Sequence, residues 1–357
     1  MEIPITRSST IGQRPRPKSE AELGFGKYFT DHMFMMDYEK GKGWINPRIE
    51  PYGPLSLDPS AMVLHYGQEI FEGLKAYRWT DGTIALFRPD KNIERWNRSA
   101  RRLCMAETDP GIFMQGMKTL ILLDRDWIPV SKGTSLYIRP TMIATEAALG
   151  VKPSSRYLFF IILGPVGPYY PEGFSPTRIY VTKSYVRAAK GGVGETKTGG
   201  NYAASLFAAT KAQEMGFTQV LWLDAAEHKY VEEVGTSNIF FLIQDELITP
   251  PLAGTILPGV TRDSVIHLAE SWGIKVNERP ITIDEVLNTA RDGSLKDMFA
   301  TGTAAVISPV GEIGFQEQVI PVADGKTGPL AQRLYDEITG IQYGLKKDLF
   351  GWIVKIG

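Results

Sequence analysis

The chain has 357 residues, enough for two domains or one large one, and its 43% apolar and 22% charged residues are ordinary for a globular protein. Lys and Arg (39) nearly balance Asp and Glu (40), and the net charge of −1 argues against a general nucleic-acid or membrane-surface binder, both of which need a basic excess. A single cysteine, Cys104, excludes internal disulfides and cysteine zinc sites and suits a reducing, cytoplasmic compartment.

Residues 4–19 are rich in Pro, Ser and Arg and lack the apolar stretch of a signal peptide, so 1–22 are expected to be disordered. Thr83 to Phe87 reads as a strand. Asn92 to Ala106 reads as a helix bearing Arg95, Arg98, Arg101 and Arg102, with Cys104 as a small buried hydrophobe in it. Leu136 to Ala144 reads as a strand, and so does Tyr157 to Leu163, an apolar run too short to span a bilayer. Residues 164–176 hold four prolines and three glycines, which deny both helix and strand. This stretch is read as the connection between a smaller domain, 23–163, and a larger one, 177–357. Its aromatics Tyr169, Tyr170 and Phe174 point to an ordered loop.

The second half opens with a strand, Arg178 to Thr182. Lys197 then sits among five glycines, Gly191, Gly192, Gly194, Gly199 and Gly200, just before a helix over Tyr202 to Met215. Gln219 to Leu223 and Thr236 to Ile243 are strands. Thr261 to Trp272 is an amphipathic helix ended by Gly273. Asp284 is expected to cap a short helix that stops at Gly293, and Met298 to Ala300 lead into Thr301-Gly-Thr-Ala-Ala305. Regular βαβ alternation is missing, so the class is α+β in both halves.

Four features of the second half belong together chemically. A lysine beside a glycine turn can form an imine with a carbonyl if its amine is partly neutral. Val231-Glu-Glu-Val-Gly-Thr-Ser-Asn238 places carboxylates before a turn. Ile256-Leu-Pro-Gly-Val-Thr261 opens directly onto a helix, whose N–H groups suit a phosphate. Thr301-Gly-Thr303 adds hydroxyls for the same anion. A lysine, a carboxylate and a phosphate cup are what pyridoxal phosphate requires. Taken singly, each has a plainer reading: a surface loop with a solvated lysine, a solvated acidic face, a turn. The lysine of a nucleotide-binding loop is missing at its required place. The four histidines show no paired spacing for a metal, and no serine-hydrolase elbow is present.

From about residue 22 to 344 these segments resemble the branched-chain amino acid aminotransferases of the class IV pyridoxal-phosphate fold. The matching motifs include Phe29-Thr-Asp-His-Met33, Leu64-His-Tyr-Gly-Gln-Glu-Ile-Phe-Glu-Gly-Leu-Lys-Ala-Tyr77, Phe87-Arg-Pro-Asp-Lys-Asn-Ile-Glu-Arg95 and Tyr137-Ile-Arg-Pro140. They continue through Gly164-Pro-Val-Gly-Pro-Tyr169, Gly199-Gly-Asn-Tyr-Ala203, Glu233-Val-Gly-Thr-Ser-Asn-Ile-Phe240, Leu257-Pro-Gly-Val260 and Gly302-Thr-Ala304. The first-half motifs favour these members over their relatives, the D-amino-acid aminotransferases and aminodeoxychorismate lyases.

The resemblance implies a two-domain fold, similar to that of D-amino-acid aminotransferase, with pyridoxal 5'-phosphate at the domain interface, and a homodimer. The implied reaction is ping-pong transamination of Leu, Ile and Val with 2-oxoglutarate. Lys197 matches the lysine that joins the cofactor as a Schiff base, Tyr202 the tyrosine at its phenolic oxygen, and Glu233 the carboxylate at its pyridine nitrogen. Arg95, Val260, Thr261 and Thr303 match phosphate-binding positions. Phe29, Tyr66, Tyr137, Arg139, Tyr169, Thr236 and Ala304 match substrate-pocket positions, with Thr236 also near the cofactor and Arg139 suited to the distal carboxylate of glutamate. Mammalian members carry a C-x-x-C pair after the position of Ala304; Ala305 and Ser308 stand there instead, so thiol regulation of that kind is not expected.

Overall fold

The computed structural model describes residues 2–7, 14–167 and 174–356. Its contacts group into two units, residues 1–171 with 196–199 and 340–357, and residues 172–195 with 200–339.

The first unit is built on an eight-stranded sheet. Its strands are β1 (His32–Glu39), β2 (Gly43–Pro51), β3 (Glu69–Phe71), β4 (Leu74–Arg78), β5 (Ile84–Phe87), β6 (Ser135–Ala144) and β7 (Arg156–Val166), with a C-terminal strand, Ile353–Lys355. The order is C-terminal strand, β5, β4, β6, β7, β1, β2, with β3 on β6, and every pairing is antiparallel. Helix α1 (Met62–Tyr66) precedes β3, and α2 (Pro89–Arg102) and α3 (Pro110–Leu123) follow β5. The core is a cluster of rings from the sheet and both longer helices. Trp96 of α2 lies 4.9 Å from Phe159 of β7 and 5.3 Å from Phe113 of α3. Phe34 of β1 completes the cluster, and all four side chains are fully buried. Each such burial contributes about 1.5–3 kcal/mol.

Three expectations change here. The N-terminal segment, expected to be disordered over 1–22, is anchored wherever it is described. Ile5 bridges Ile49, Arg16 stacks on Trp127, and Glu20 accepts the N–H groups of Val130 and Ser131. Residues 8–13 lie outside the described residues. Helix α2 stops at Arg102, so Cys104 falls beyond it, exposed and at a positive φ of 54°, not buried in the helix. The domain boundary also shifts. The segment Thr196–Gly199, which contains Lys197, and residues 340–357 group with the first unit because of non-local pairing. Phe71 N–H donates to the Lys197 carbonyl at 3.0 Å, and Ile353 to Lys355 pair with β5. The stretch read as a connection over 164–176 contributes Gly164 to Val166 to the end of β7, and residues 168–173 lie outside the described residues.

The second unit carries a nine-stranded mixed sheet. Its strands are β8 (Thr177–Val181), β9 (Gln219–Leu223), β10 (Val231–Val234), β11 (Asn238–Ile243), β12 (Glu246–Thr249), β13 (Lys275–Glu278), β14 (Leu295–Gly302), β15 (Val306–Phe315) and β16 (Gln318–Pro321). The order is β10, β9, β8, β15, β14, β11, β12, β13, with β16 on β15. Only β8 with β9, β8 with β15 and β12 with β13 run parallel among the described residues. The helices are α4 (Gly199–Glu214), α5 (Val260–Ser271), α6 (Ile283–Arg291) and α7 (Pro329–Gln342). Layout and pairing are α+β, as the missing βαβ alternation implied. The cap of α6 is Thr282, whose hydroxyl accepts from Glu285 N–H at 3.0 Å, so Asp284 falls in the first turn instead. Strand β11 starts at Asn238, because Gly235 and Thr236 form the turn before it.

Candidate active site

In the first unit, the short strand β3 and the residues after it build a charged cluster. Glu72 is completely buried, and a carboxylate there needs a cation and hydrogen bonds. Arg95, 4% exposed, supplies both through a two-pronged contact, Nε to Oε1 at 2.7 Å and Nη2 to Oε2 at 2.9 Å. Asn92 donates to Oε2 at 2.8 Å. Arg95 and Asn92 lie three residues apart on α2, which places them on one helix face. The Arg95 charge, hydrogen bonds and Lys197 hold the Glu72 carboxyl below the usual range, although burial opposes them.

Lys197 belongs to this cluster. Its backbone N–H donates to Ser99 Oγ at 3.1 Å, and Thr198 Oγ1 donates to the Glu69 carbonyl at 2.8 Å. Gly199 N–H donates to the Glu69 carboxylate. The amine stands 4.8 Å from the Phe71 ring centroid, and the Arg139 guanidinium 4.7 Å from the same ring. Arg139 Nη2 donates to Tyr137 Oη at 3.0 Å. Burial first, and then the charge of Arg95, push the Lys197 amine down to about 8; Glu72 and Tyr137 act against this. A fraction of the amine is therefore neutral near neutral pH, as a nucleophile or base requires.

Lys197, Arg95, Tyr137 and Arg139 thus fall in one neighbourhood. Tyr66 lies apart in α1, exposed, donating to the Leu149 carbonyl. Phe29 stacks on Tyr52 at 5.4 Å. Tyr169 lies outside the described residues.

The second unit holds the other group. Glu233 on β10 is buried, ion-paired with Arg187 at 2.7 Å and hydrogen-bonded by Asn238 Nδ2 at 2.9 Å. Asn238 also donates to the Leu257 carbonyl at 2.8 Å, which ties the carboxylate to the Leu-Pro-Gly turn. At Gly259 of that turn a Cβ would meet Asn238 Oδ1 at 2.0 Å, so only glycine lets the two approach. Val260 and Thr261 begin α5, where the first N–H groups have no acceptor within the helix. Asn238 is in register with Thr301 across β11 and β14, and Thr303 and Ala304 form the turn after β14. Thr236 is exposed in its turn, and Tyr202 is partly buried on α4.

Three structural partners escaped the sequence reading: Glu72, Arg187 and Asn238. Glu72 carried a signal, an acid set among apolar residues in Glu69-Ile-Phe-Glu-Gly73, which demands a buried cation. Arg187 and Asn238 carried none, because the contacts that define them are non-local.

The donor set fits pyridoxal phosphate. The first unit offers a depressed lysine, and the second, by itself, offers a carboxylate held by an arginine and an asparagine and a helix start that follows a Leu-Pro-Gly turn. Thr301 Oγ1 is buried and has no hydrogen-bond partner among the described residues.

The family model for amino-transferase class IV matches residues 69–313, and the chain belongs to this class, whose cofactor is pyridoxal phosphate. Within it the chain belongs to the branched-chain-amino-acid aminotransferases. It is 55% identical to branched-chain-amino-acid aminotransferase 2 of Bacillus subtilis (strain 168), over 99% of this chain and 97% of the relative. A T.th. branched-chain amino acid aminotransferase with pyridoxamine 5'-phosphate superposes with a TM-score of 0.78 at 27% identity, covering 92% of this chain and 99% of that one. The same enzyme complexed with N-(5'-phosphopyridoxyl)-L-glutamate gives 0.76 at 26%, with the same coverage.

Proposed function

We propose that this chain transaminates L-leucine, L-isoleucine and L-valine with 2-oxoglutarate, giving branched 2-oxo acids and L-glutamate. The observation that carries the reading is the depressed amine of Lys197, enclosed with Arg95 and Glu72. The phosphopyridoxyl-glutamate complex of the T.th. relative supports glutamate as the second amino donor.

Pyridoxal phosphate, when bound, supplies the aldehyde that captures an amine and the ring that spreads carbanion charge. Lys197 would hold it through its amine between turnovers and, with that amine free, would serve as the base for the Cα proton of the amino acid. Glu233, fixed by Arg187 and Asn238, holds a proton at the pyridine nitrogen. The N–H groups of Val260 and Thr261, the Thr303 hydroxyl and Arg95 would bind phosphate, and Tyr202 would donate to the phenolic oxygen. Phe29, Tyr66, Tyr137, Tyr169, Thr236 and Ala304 shape the substrate pocket. Arg139 binds the distal carboxylate of glutamate, a group the branched chains lack.

The chain acts as a cytoplasmic homodimer. No helix among the described residues is long and apolar enough to cross a membrane. Leu206 and Phe207 of α4 and nearby Tyr185 form an exposed apolar patch suited to a subunit contact.

Replacing Lys197 by Ala tests the assignment. The variant loses transamination and the visible absorbance of bound cofactor; retention of both would refute the role of Lys197.

A further inference from the structure

A second cavity, of about 520 Å3, lies in the second unit, and none of the residues assigned above to cofactor or substrate lines it. Its walls are apolar, with Pro250, Pro251 and Ile256 among them. Three carboxylates line it, but they are not equivalent. Glu227 is exposed. Asp224 is already used, since its two oxygens accept the backbone N–H groups of Ala226, Glu227, Lys229 and Tyr230. Glu232 is different. Its residue is 8% exposed, and its Oε2 is buried with no hydrogen-bond partner among the described residues.

The charge of Arg187 acts on Glu232, but its guanidinium makes its ion pair elsewhere. Arg187 is committed to Glu233 at 2.7 Å and to the carbonyls of Gly194 and Thr255. The strand explains how neighbouring glutamates reach different surroundings. The register of β10 on β9 slips by one residue between Val231 and Val234, and such a bulge re-aims side chains. A buried carboxylate oxygen left unpaired costs free energy that a ligand can recover. Among the described residues no group of three or more His, Cys, Asp or Glu is placed to hold a metal ion.

We propose that this cavity is a second, non-catalytic site for a small ammonium compound with an aliphatic body, the chemical class of the amino acids themselves. The ammonium pairs with Glu232 Oε2, and the aliphatic part lies against Pro250, Pro251 and Ile256. Lys190, an exposed lining residue whose charge acts on Glu232, offers a partner for a carboxylate on the same ligand. Burial, against a hydrogen bond with Thr255, pushes the Glu232 carboxyl above its usual range, and an ammonium beside it would lower it again.

The test must keep the probe out of the catalytic chemistry. N,N-dimethyl-3-methylbutylamine is cationic at neutral pH, and as a tertiary amine it cannot form an imine with the cofactor. Calorimetric titration of the holoenzyme is expected to show saturable binding, weakened at least about tenfold by Glu232→Gln. Ala253→Phe, at an exposed lining residue, fills the cavity without touching the buried charges and is expected to weaken binding equally; it decides the matter if Glu232→Gln does not fold. The proposal fails if no saturable heat appears up to about 10 mM, or if Ala253→Phe binds as the parent does.

Discussion

At the scale of residues, burial keeps a lysine amine partly neutral. Lys197 is depressed from 10.5 to about 8, and so is Lys75, in both cases chiefly by burial. The sign of the pH effect follows from linkage. Between about pH 8 and pH 10.5 the unfolded chain binds more protons at these lysines than the folded one, so the apoprotein gains stability as pH rises through that window. Urea denaturation of the apoprotein at the two ends of the window measures this, and Lys197→Ala is expected to remove roughly half of the gain. Glu72 works in the opposite direction, raising the Lys197 pKa. Glu72→Gln therefore moves the acid limb of the pH–rate profile to lower pH. It also leaves Arg95 buried without its counter-charge, at a cost of about 3–5 kcal/mol in chemical denaturation. An unchanged acid limb in a folded variant would show that Glu72 does not act on Lys197. The sequence singled out Lys197 and Arg95 as candidates and passed over Glu72, the acid that pairs with Arg95. Motifs point to residues that touch ligands, whereas the pairing of Glu72 with Arg95 exists only once β3 and α2 pack together.

At the scale of elements, local chemistry was legible where one periodicity ruled. Strand β9 has the bounds its apolar run implied, and α5 differs by one residue at each end. The hairpin of β1 and β2 was not legible. Its second strand contains Pro47, which argues against a strand. The structure absorbs Asn46 and Pro47 where the register slips between Met35 and Asp37, with Asn46 at a positive φ of 53°. The start of α5 is the element on which the proposed phosphate binding rests. Gly259 has an unstrained φ of −70°, so an alanine there is excluded by contact with Asn238 and not by backbone conformation. Gly259→Ala displaces Asn238 from both Glu233 and Leu257. It is expected to raise the dissociation constant for pyridoxal phosphate at least about tenfold by equilibrium dialysis. Unchanged affinity would remove the helix start from the cofactor site.

At the scale of the whole molecule, composition and motif order gave two domains, but the chain path departs from a simple division. The lysine segment and the C-terminal strand return to the first unit through hydrogen bonds made far along the sequence, which no local pattern encodes. The apolar patch of Leu206, Phe207 and Tyr185 bears on assembly. Sedimentation at micromolar concentration is expected to give a dimer, and Leu206→Glu with Phe207→Glu to shift it toward monomer; a monomeric parent would contradict the proposed assembly. The central claim concerns the substrate, and the most direct measurement is the half-reaction. Cofactor-loaded protein is mixed with one amino acid at a time while the visible absorbance is followed. L-leucine, L-isoleucine, L-valine and L-glutamate are each expected to discharge the band, and D-alanine and aminodeoxychorismate to leave it unchanged. Discharge by D-alanine or aminodeoxychorismate, with no response to the branched-chain L-amino acids, would contradict the account.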